Sequence, residues 1–146
     1  MTRQNQAIYD TLLELHDGAA AVTADGNGQV DGSAKIMDLG AEVFRSEWAG
    51  QAMMPAAELV IEVTELDETT GDETYVVVFE LSNSSSFGSG NFEFVRVPIT
   101  ATGRYIVPVL NQQLGQQYRY CRVKFDVGGT TPSITCVARL TKKRPW

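Results

Sequence analysis

The sequence predicts an all-β fold: an antiparallel β-sandwich, of which a jelly roll is one version, with an irregular or extended N-terminal arm. Three observations carry that expectation. From Ala57 onward, apolar residues alternate with polar ones in short runs, the period of a half-buried strand. Clusters of Gly, Asp, Asn, Ser and Pro separate these runs at intervals typical of sandwiches. Helical spacing is confined to one stretch, Ile8, Leu12 and Leu15, and Thr11–Leu15 reads equally well as extended chain. No segment of 20–50 residues repeats itself. A length of 146 residues suits one domain with a real core, and 43% hydrophobic with 21% charged residues is ordinary for a soluble globular chain.

The elements follow in order. In the first third, Asp25-Gly-Asn-Gly28 and Asp31-Gly-Ser33 are turn clusters that leave Ala19–Thr23 and Lys35–Leu39 as short strands. Residues 44–55 form a connection rich in large apolar side chains. In Ala57–Leu66, Leu59, Ile61 and Val63 share one face; after turn residues at 70–72, Tyr75, Val77, Phe79 and Leu81 form the next inward face. This pair reads as a hairpin around Asp67–Glu73. A polar Ser/Gly loop, 82–91, carries Phe87 either exposed or as an anchor. Strands follow at Phe92–Ile99 and Arg104–Val109, each with a proline that suits an edge or a bend. Asn111–Gln117 is a polar connection. Finally Cys121, Val123, Phe125 and Val127, then Ile134, Cys136, Ala138 and Leu140, alternate around Gly128–Ser133. They read as a long hairpin pairing Val127 with Ile134 and Cys121 with Leu140. That register separates Cys121 from Cys136 by about 13 Å along the strands. A disulfide needs Cα atoms within roughly 7 Å, so two free, core-facing thiols are expected.

Met1–Gln6 is polar and leads into no apolar segment, so no secretory signal is expected. The longest uninterrupted apolar run, Tyr75–Phe79, is too short to cross a bilayer as a helix, and no membrane contact is expected. Two cysteines without a Cys-x-x-Cys pair and a single His16 fall short of a structural zinc site.

Charge is unevenly divided. Residues 1–73 hold 15 acids and 3 bases, whereas residues 74–146 hold 3 acids and 9 bases, within a net charge of −6. A free nucleic-acid binder is usually basic overall, so direct nucleic-acid binding is not expected. Interleaved strands should cancel part of the asymmetry. They should leave an acidic tip and a basic row that copies arranged head to tail could pair, in an assembly weakened by salt.

Chemistry-bearing clusters are few. Glu62, Glu65, Asp67, Glu68, Asp72 and Glu73 could bind calcium or supply a carboxylate pair for glycoside hydrolysis, or simply solvate a tip. The calcium-loop pattern is absent. Gly88-Ser-Gly90 and Gly128-Gly129 lack the following helix that a phosphate cradle needs. Ser84–Ser86 have no nucleophile elbow and no nearby histidine. Tyr118, Tyr120, Arg122 and Lys124 line one outward face, able to stack single-stranded nucleic acid or to pair with acidic strands. No constellation converges on a reaction, so no enzyme, metal or cofactor is expected.

The C-terminal region, Asn111–Gln117 leading into Tyr118-Arg-Tyr-Cys-Arg-Val-Lys-Phe-Asp-Val-Gly-Gly-Thr-Thr-Pro-Ser-Ile-Thr-Cys-Val-Ala-Arg-Leu140, resembles the end of tailed-phage capsid cement (decoration) proteins of the jelly-roll type. His16-Asp-Gly-Ala-Ala-Ala-Val-Thr23 and Met37-Asp-Leu-Gly40 are similar to two upstream segments of that family. His16 stands where Ser is usual, and Ala19-Ala20 where Gln would appear. The resemblance covers most of the chain as scattered short matches. It implies a non-enzymatic virion protein on the outer surface of an icosahedral head. Such a protein is made in the host cytoplasm, bridges neighbouring major capsid proteins and forms homotrimers.

In that setting the expected organisation is an arm over residues 1–18, the sandwich over 19–141 and a basic tail over 142–146. Thr2–Leu15 and Phe44–Met54 would serve as arms, with Ile8, Tyr9, Leu12, Phe44, Trp48, Met53 and Met54 as contacts. Phe87, Tyr118, Tyr120 and Arg122, with Lys142, Lys143, Arg144 and Trp146 of the tail, complete the candidate contact set. The alternative is a carbohydrate- or receptor-binding module of a phage fibre, with Trp48, Phe87 and Trp146 as sugar-stacking platforms.

Overall fold

A computed structural model describes residues 13–39 and 57–142, with Lys142 described by its backbone alone. Every regular element among them is a strand: β1 (Glu14–His16), β2 (Gly26–Asn27), β3 (Gln29–Val30), β4 (Ser33–Ala34), β5 (Met37–Asp38), β6 (Ala57–Leu66), β7 (Thr74–Ser82), β8 (Phe92–Pro98), β9 (Gly103–Val109), β10 (Gln112–Gln113), β11 (Gln116–Gln117), β12 (Tyr120–Gly128) and β13 (Ile134–Lys142). The first sheet runs β1-β13-β6-β9. The second runs β2-β12-β7-β8, with β5 also on β12, and all pairings are antiparallel. The all-β sandwich expected from the alternation is therefore the observed architecture.

The pairings describe one long antiparallel ribbon. Its rungs are β1 with β13, β2 and β5 with β12, β6 with β9, and β7 with β8. The ribbon is rolled so that β13 lies beside β6 and β12 beside β7. Between the two sheets sit Leu59, Ile61 and Val63 of β6, Val77, Phe79 and Leu81 of β7, Cys121, Val123 and Phe125 of β12, and Ile134, Cys136, Ala138 and Leu140 of β13. Each of the larger side chains contributes about 1.5–3 kcal/mol by leaving water.

The inward faces are those the alternation predicts, but two strand pairings are not. Neither β6 with β7 nor β12 with β13 forms a hairpin; each pair is divided between the two sheets. Residues 67–73 and 129–133 cross from one sheet to the other. Two strands with complementary apolar faces can bury them side by side or across the roughly 10 Å between stacked sheets, and here the second arrangement holds. The expected Val127–Ile134 and Cys121–Leu140 pairs are therefore replaced. Val127 pairs with Tyr75, Cys121 with Leu81, Ile134 with Leu66 and Leu140 with Leu59. Among the described residues, the one hairpin joining long consecutive strands within a sheet is β7–β8, closed by the Ser/Gly loop.

The first third also differs in detail. Leu15 is extended in β1 and fully buried, so it belongs to the core and not to an arm. Ala19–Thr23 makes only a single bridge, Val22 to Ile134, while Met37–Asp38 within the expected Lys35–Leu39 strand does pair with β12. Asp31-Gly32 forms the turn between β3 and β4 with both residues at positive φ, 53° and 77°, the geometry for which Asp-Gly is favoured.

Candidate functional site

The outward face of β12 is one of the contact surfaces the sequence suggests. Its register places Tyr120 opposite Ser82, Arg122 opposite Glu80 and Lys124 opposite Val78 on β7. Glu80 is only 3% exposed, and its carboxylate is held by Arg122 Nε at 2.7 Å and Lys124 Nζ at 3.3 Å. Lys124 also reaches Glu93 on β8 at 2.9 Å, and Glu93 accepts from Arg96 at 2.9 Å. Arg96 continues to Asp126 on β12. Three bases and three acids thus form one chain of ion pairs across β8, β7 and β12. Hydrogen bonding from Lys124, then Arg96, holds the Glu93 carboxyl below its usual range, and the same Glu93 contact raises Lys124. The basic row therefore meets acids of its own sheet. Its bases are not presented as a single-sign stripe that a phosphate backbone would track.

The aromatic members of the row are also engaged. Tyr118 stacks on Phe92 with ring centroids 5.9 Å apart and an 8° interplanar angle, and both rings are half-buried. Arg119 lies 5.3 Å from the Tyr120 ring centre and makes a two-pronged contact with Asp38, at 2.9 and 2.8 Å. Phe87 is 5% exposed, with the Arg122 guanidinium 4.2 Å from its ring centre. It adopts φ 56° at the head of the Ser/Gly loop, where Ser84 and Asn91 bond its backbone. Phe87 is an internal anchor. The exposed sugar-stacking role considered for it is corrected accordingly, because a ring closed between the loop and Arg122 offers no open face.

The acidic tip is built as a brace. Asp67 Oδ1 accepts from the backbone and hydroxyl of Thr69, and Glu73 accepts from Thr70 and the Gly71 backbone. Asp72 reaches over to the other crossing loop: Oδ1 accepts from Thr130 N at 3.0 Å and Oδ2 from Thr130 Oγ1 at 2.8 Å. These bonds stabilise the charged forms and pull the carboxyls of Asp67, Asp72 and Glu73 below their usual ranges. Beneath them, Tyr75 Oη donates to the Asp67 carbonyl and accepts from Ser133 N, tying both loops to the core. Among the described residues no group of three or more His, Cys, Asp or Glu is arranged to hold a metal ion.

On the opposite face of the molecule, Glu62 of β6 binds Arg104 of β9 at 2.9 Å and Arg139 of β13 at 2.5 Å, and these contacts, Arg139 first, lower its pKa. Cys121 and Cys136 are buried thiols outside any disulfide, one in each sheet, and burial pushes the Cys136 thiol up to about 12. Such a thiol is protonated and unreactive at neutral pH. The remaining expected contacts, Ile8, Tyr9, Leu12, Phe44, Trp48, Met53, Met54, Lys143, Arg144, Trp146 and the side chain of Lys142, lie outside the described residues.

Three exposed hydrophobic residues are not among the contacts the sequence suggests. Ile106, Leu110 and Leu114 are 51%, 37% and 93% exposed, the large hydrophobic residues most open to solvent among those described. Four glutamines make residues 111–117 read as an ordinary polar connection, so the exposure of Leu114 has no sequence signal.

No family model matches this chain, and no curated protein matches it. The fold and the faces described define it as an antiparallel β-sandwich in which Arg96, Arg104, Arg122, Lys124 and Arg139 pair with carboxylates of their own sheet.

Proposed function

We propose that the chain is a structural virion protein of the capsid cement class. In this reading it sits on the outside of a tailed-phage head, bridges neighbouring major capsid proteins and holds the shell against packaged DNA. The observation that carries the reading is the strand order. A ribbon rolled into β1-β13-β6-β9 and β2-β12-β7-β8 supports the jelly-roll version of the sandwich, the fold that the sequence resemblance implies. Fold alone does not give function, and jelly rolls also serve as lectins and capsid subunits. The preference for a cement protein rests on the similar segments, His16–Thr23, Met37–Gly40 and Asn111–Leu140; of these, His16 ends β1, Met37 and Asp38 form β5, and the last contains β12 and most of β13.

The mechanism is additive. A small domain repeated over a shell makes many modest contacts, and their effects multiply when one copy touches two subunits. Cryo-electron microscopy of native particles tests it: density for this sandwich at junctions between capsomers is expected. Absence from purified heads, together with specific binding on a glycan array, would replace the proposal with the carbohydrate-binding reading.

A further inference from the structure

The first sheet ends on β1, a strand of three residues that are all buried. Glu14 pairs with Arg139 and His16 with Ala138, so two steps along β1 match one along β13. This is a β-bulge, a device that re-aims side chains, and it leaves both Leu15 and its neighbour His16 inside. The His16 ring meets Phe125 of β12 edge-on, while its Nδ1 accepts the Gln29 backbone N–H at 3.0 Å. Asp17 N donates to the Gln29 carbonyl at 2.9 Å, and Asp17 Oδ2 accepts from Asp31 N at 2.8 Å. The β3–β4 hairpin is thus fastened to the end of β1 through a buried ring, a backbone N–H and a carboxylate. Its own side chains add little: none of residues 29–34 belongs to the hydrophobic core, and all but Val30 are exposed. The two ends of the segment are anchored on β12. Gly28 N donates to the Val123 carbonyl at 2.8 Å, and Met37 and Asp38 pair with Cys121 and Tyr120.

We propose that His16 is an acid-released catch: its neutral ring holds the β3–β4 hairpin against β1, and taking up a proton frees residues 29–34 while the two sheets stay closed. With Nδ1 accepting, the neutral ring keeps its proton on Nε2, which is buried with no hydrogen-bond partner among the described residues. A proton added at Nδ1 would face the Gln29 N–H, donor against donor, and the cation would have neither N–H satisfied. Moving Gln29 away admits water to Nδ1 and gives up only contacts that lie outside the core. Where they pack on the ring, β12 and β13 present Phe125 and Ala138. The charged groups nearby are Asp17, its chain neighbour; Glu14, two residues back and opposite Arg139 of β13; and Asp31, bonded to Asp17 from the hairpin. Burial lowers the His16 pKa, and Asp17 only opposes that shift. Burial, then Asp17 and Asp31, raises Glu14, so Glu14 binds its proton more readily in the folded state and does not drive opening in acid. The N–H groups of Asp31 and Ala19 hold Asp17 below its usual range, so it stays ionised while His16 titrates. Its bond to Asp31 is solvent-exposed, where water replaces it readily. The catch is therefore fully closed above about pH 6.5, the ordinary histidine value, and its hold is lost as pH falls toward the folded pKa. Nothing in it depends on the capsid reading.

Amide hydrogen exchange of the full chain, followed by NMR between about pH 7.5 and 5, tests it. Below about pH 6.5, protection of the Gln29 and Asp31 amides, corrected for the intrinsic exchange rate, should fall by up to about tenfold per pH unit. The amides that pair β7 with β12 should stay far better protected throughout. In His16→Asn, whose side-chain oxygen can accept the same N–H but takes up no proton, the Gln29 and Asp31 amides should lose this pH dependence. The wild-type ring gives a second reading that needs no variant. Its 15N shifts should report a proton on Nε2 at neutral pH, and a titration over the same range in which Gln29 loses protection. Protection that ignores pH, that falls equally in His16→Asn, or that matches the β7–β12 amides throughout would overturn the catch, as would a ring that titrates with no change at Gln29.

Discussion

His16 is 4% exposed, and its Nε2 is buried without a hydrogen-bond partner among the described residues. Nδ1 accepts the Gln29 backbone N–H at 3.0 Å, so the neutral ring carries its proton on Nε2, and the ring meets Phe125 edge-on at 4.7 Å. Protonating Nδ1 would turn an acceptor toward a donor and place a charge in the core. Burial accordingly lowers the His16 pKa, with the Asp17 carboxylate acting in the opposite direction. An unfolded histidine titrates near 6.5, so below that pH the unfolded chain takes up a proton that the folded chain refuses. The contribution of His16 to stability is therefore full above about 6.5 and is lost as pH falls toward its folded pKa. Glu14, raised chiefly by burial and next by Asp17 and Asp31, titrates with the opposite sign. The measurement that isolates His16 is thus a difference. Urea midpoints should fall between mildly alkaline and mildly acidic buffer in wild type, and fall less in His16→Asn, whose amide oxygen can accept the same Gln29 N–H. Equal slopes in the two proteins would show that the ring is not the titrating group.

At the scale of elements, the crossing loops decide the topology, and Gly129 is where they meet. A Cβ at Gly129 would lie 2.4 Å from the Asp72 carbonyl oxygen and 2.7 Å from Glu73 Cα, at φ 97°. Gly129→Ala should cost about 2–3 kcal/mol, read as a lower urea midpoint with an unchanged m-value. These loops also mark what the sequence could disclose. Alternation gave the inward faces of β6, β7, β12 and β13 correctly because burial of alternate residues is a local property of each strand. Pairing was not legible there: short turn-rich connections at 67–73 and 128–133 look alike whether they close a hairpin or step between sheets. The two-residue strands β2 to β5 were beyond reach for another reason, since two residues carry no period. Gly28 shows what fixes them instead: a Cβ there would lie 2.3 Å from the Leu15 carbonyl oxygen, a tertiary approach invisible in sequence. The same topology puts the two thiols in separate sheets. Under non-reducing conditions a thiol reagent should find two per chain after denaturation and react slowly with both in the native protein. A rapid native reaction would place one of them at the surface.

For the molecule as a whole, the division between an acidic first half and a basic second half is cancelled in part within the fold, as interleaved strands are expected to do. Arg104 and Arg139 meet Glu62, and Arg119 meets Asp38, which joins the halves. Arg122, Lys124 and Arg96 are instead matched by Glu80, Glu93 and Asp126 of their own half. Among the described residues the acids at 67–73 meet no opposing base and are held by threonine hydroxyls and backbone N–H groups. Four acids within seven residues, on a chain of net charge −6, leave repulsion that the hydrogen bonds do not remove. Salt screens this exposed repulsion well, but it acts weakly on Glu80, whose side chain is 5% exposed and whose partners are partly buried. The exposed pairs that salt also weakens are worth little, about 0–1 kcal/mol each. Screening of the tip should therefore prevail, and the melting temperature should rise modestly from low to moderate salt. Glu68→Lys, at an exposed tip position, should raise the low-salt melting temperature slightly and flatten the salt dependence. A melting temperature that instead falls with salt in both proteins would mean that the ion pairs across the sheets, and not the tip, dominate the electrostatics of the fold.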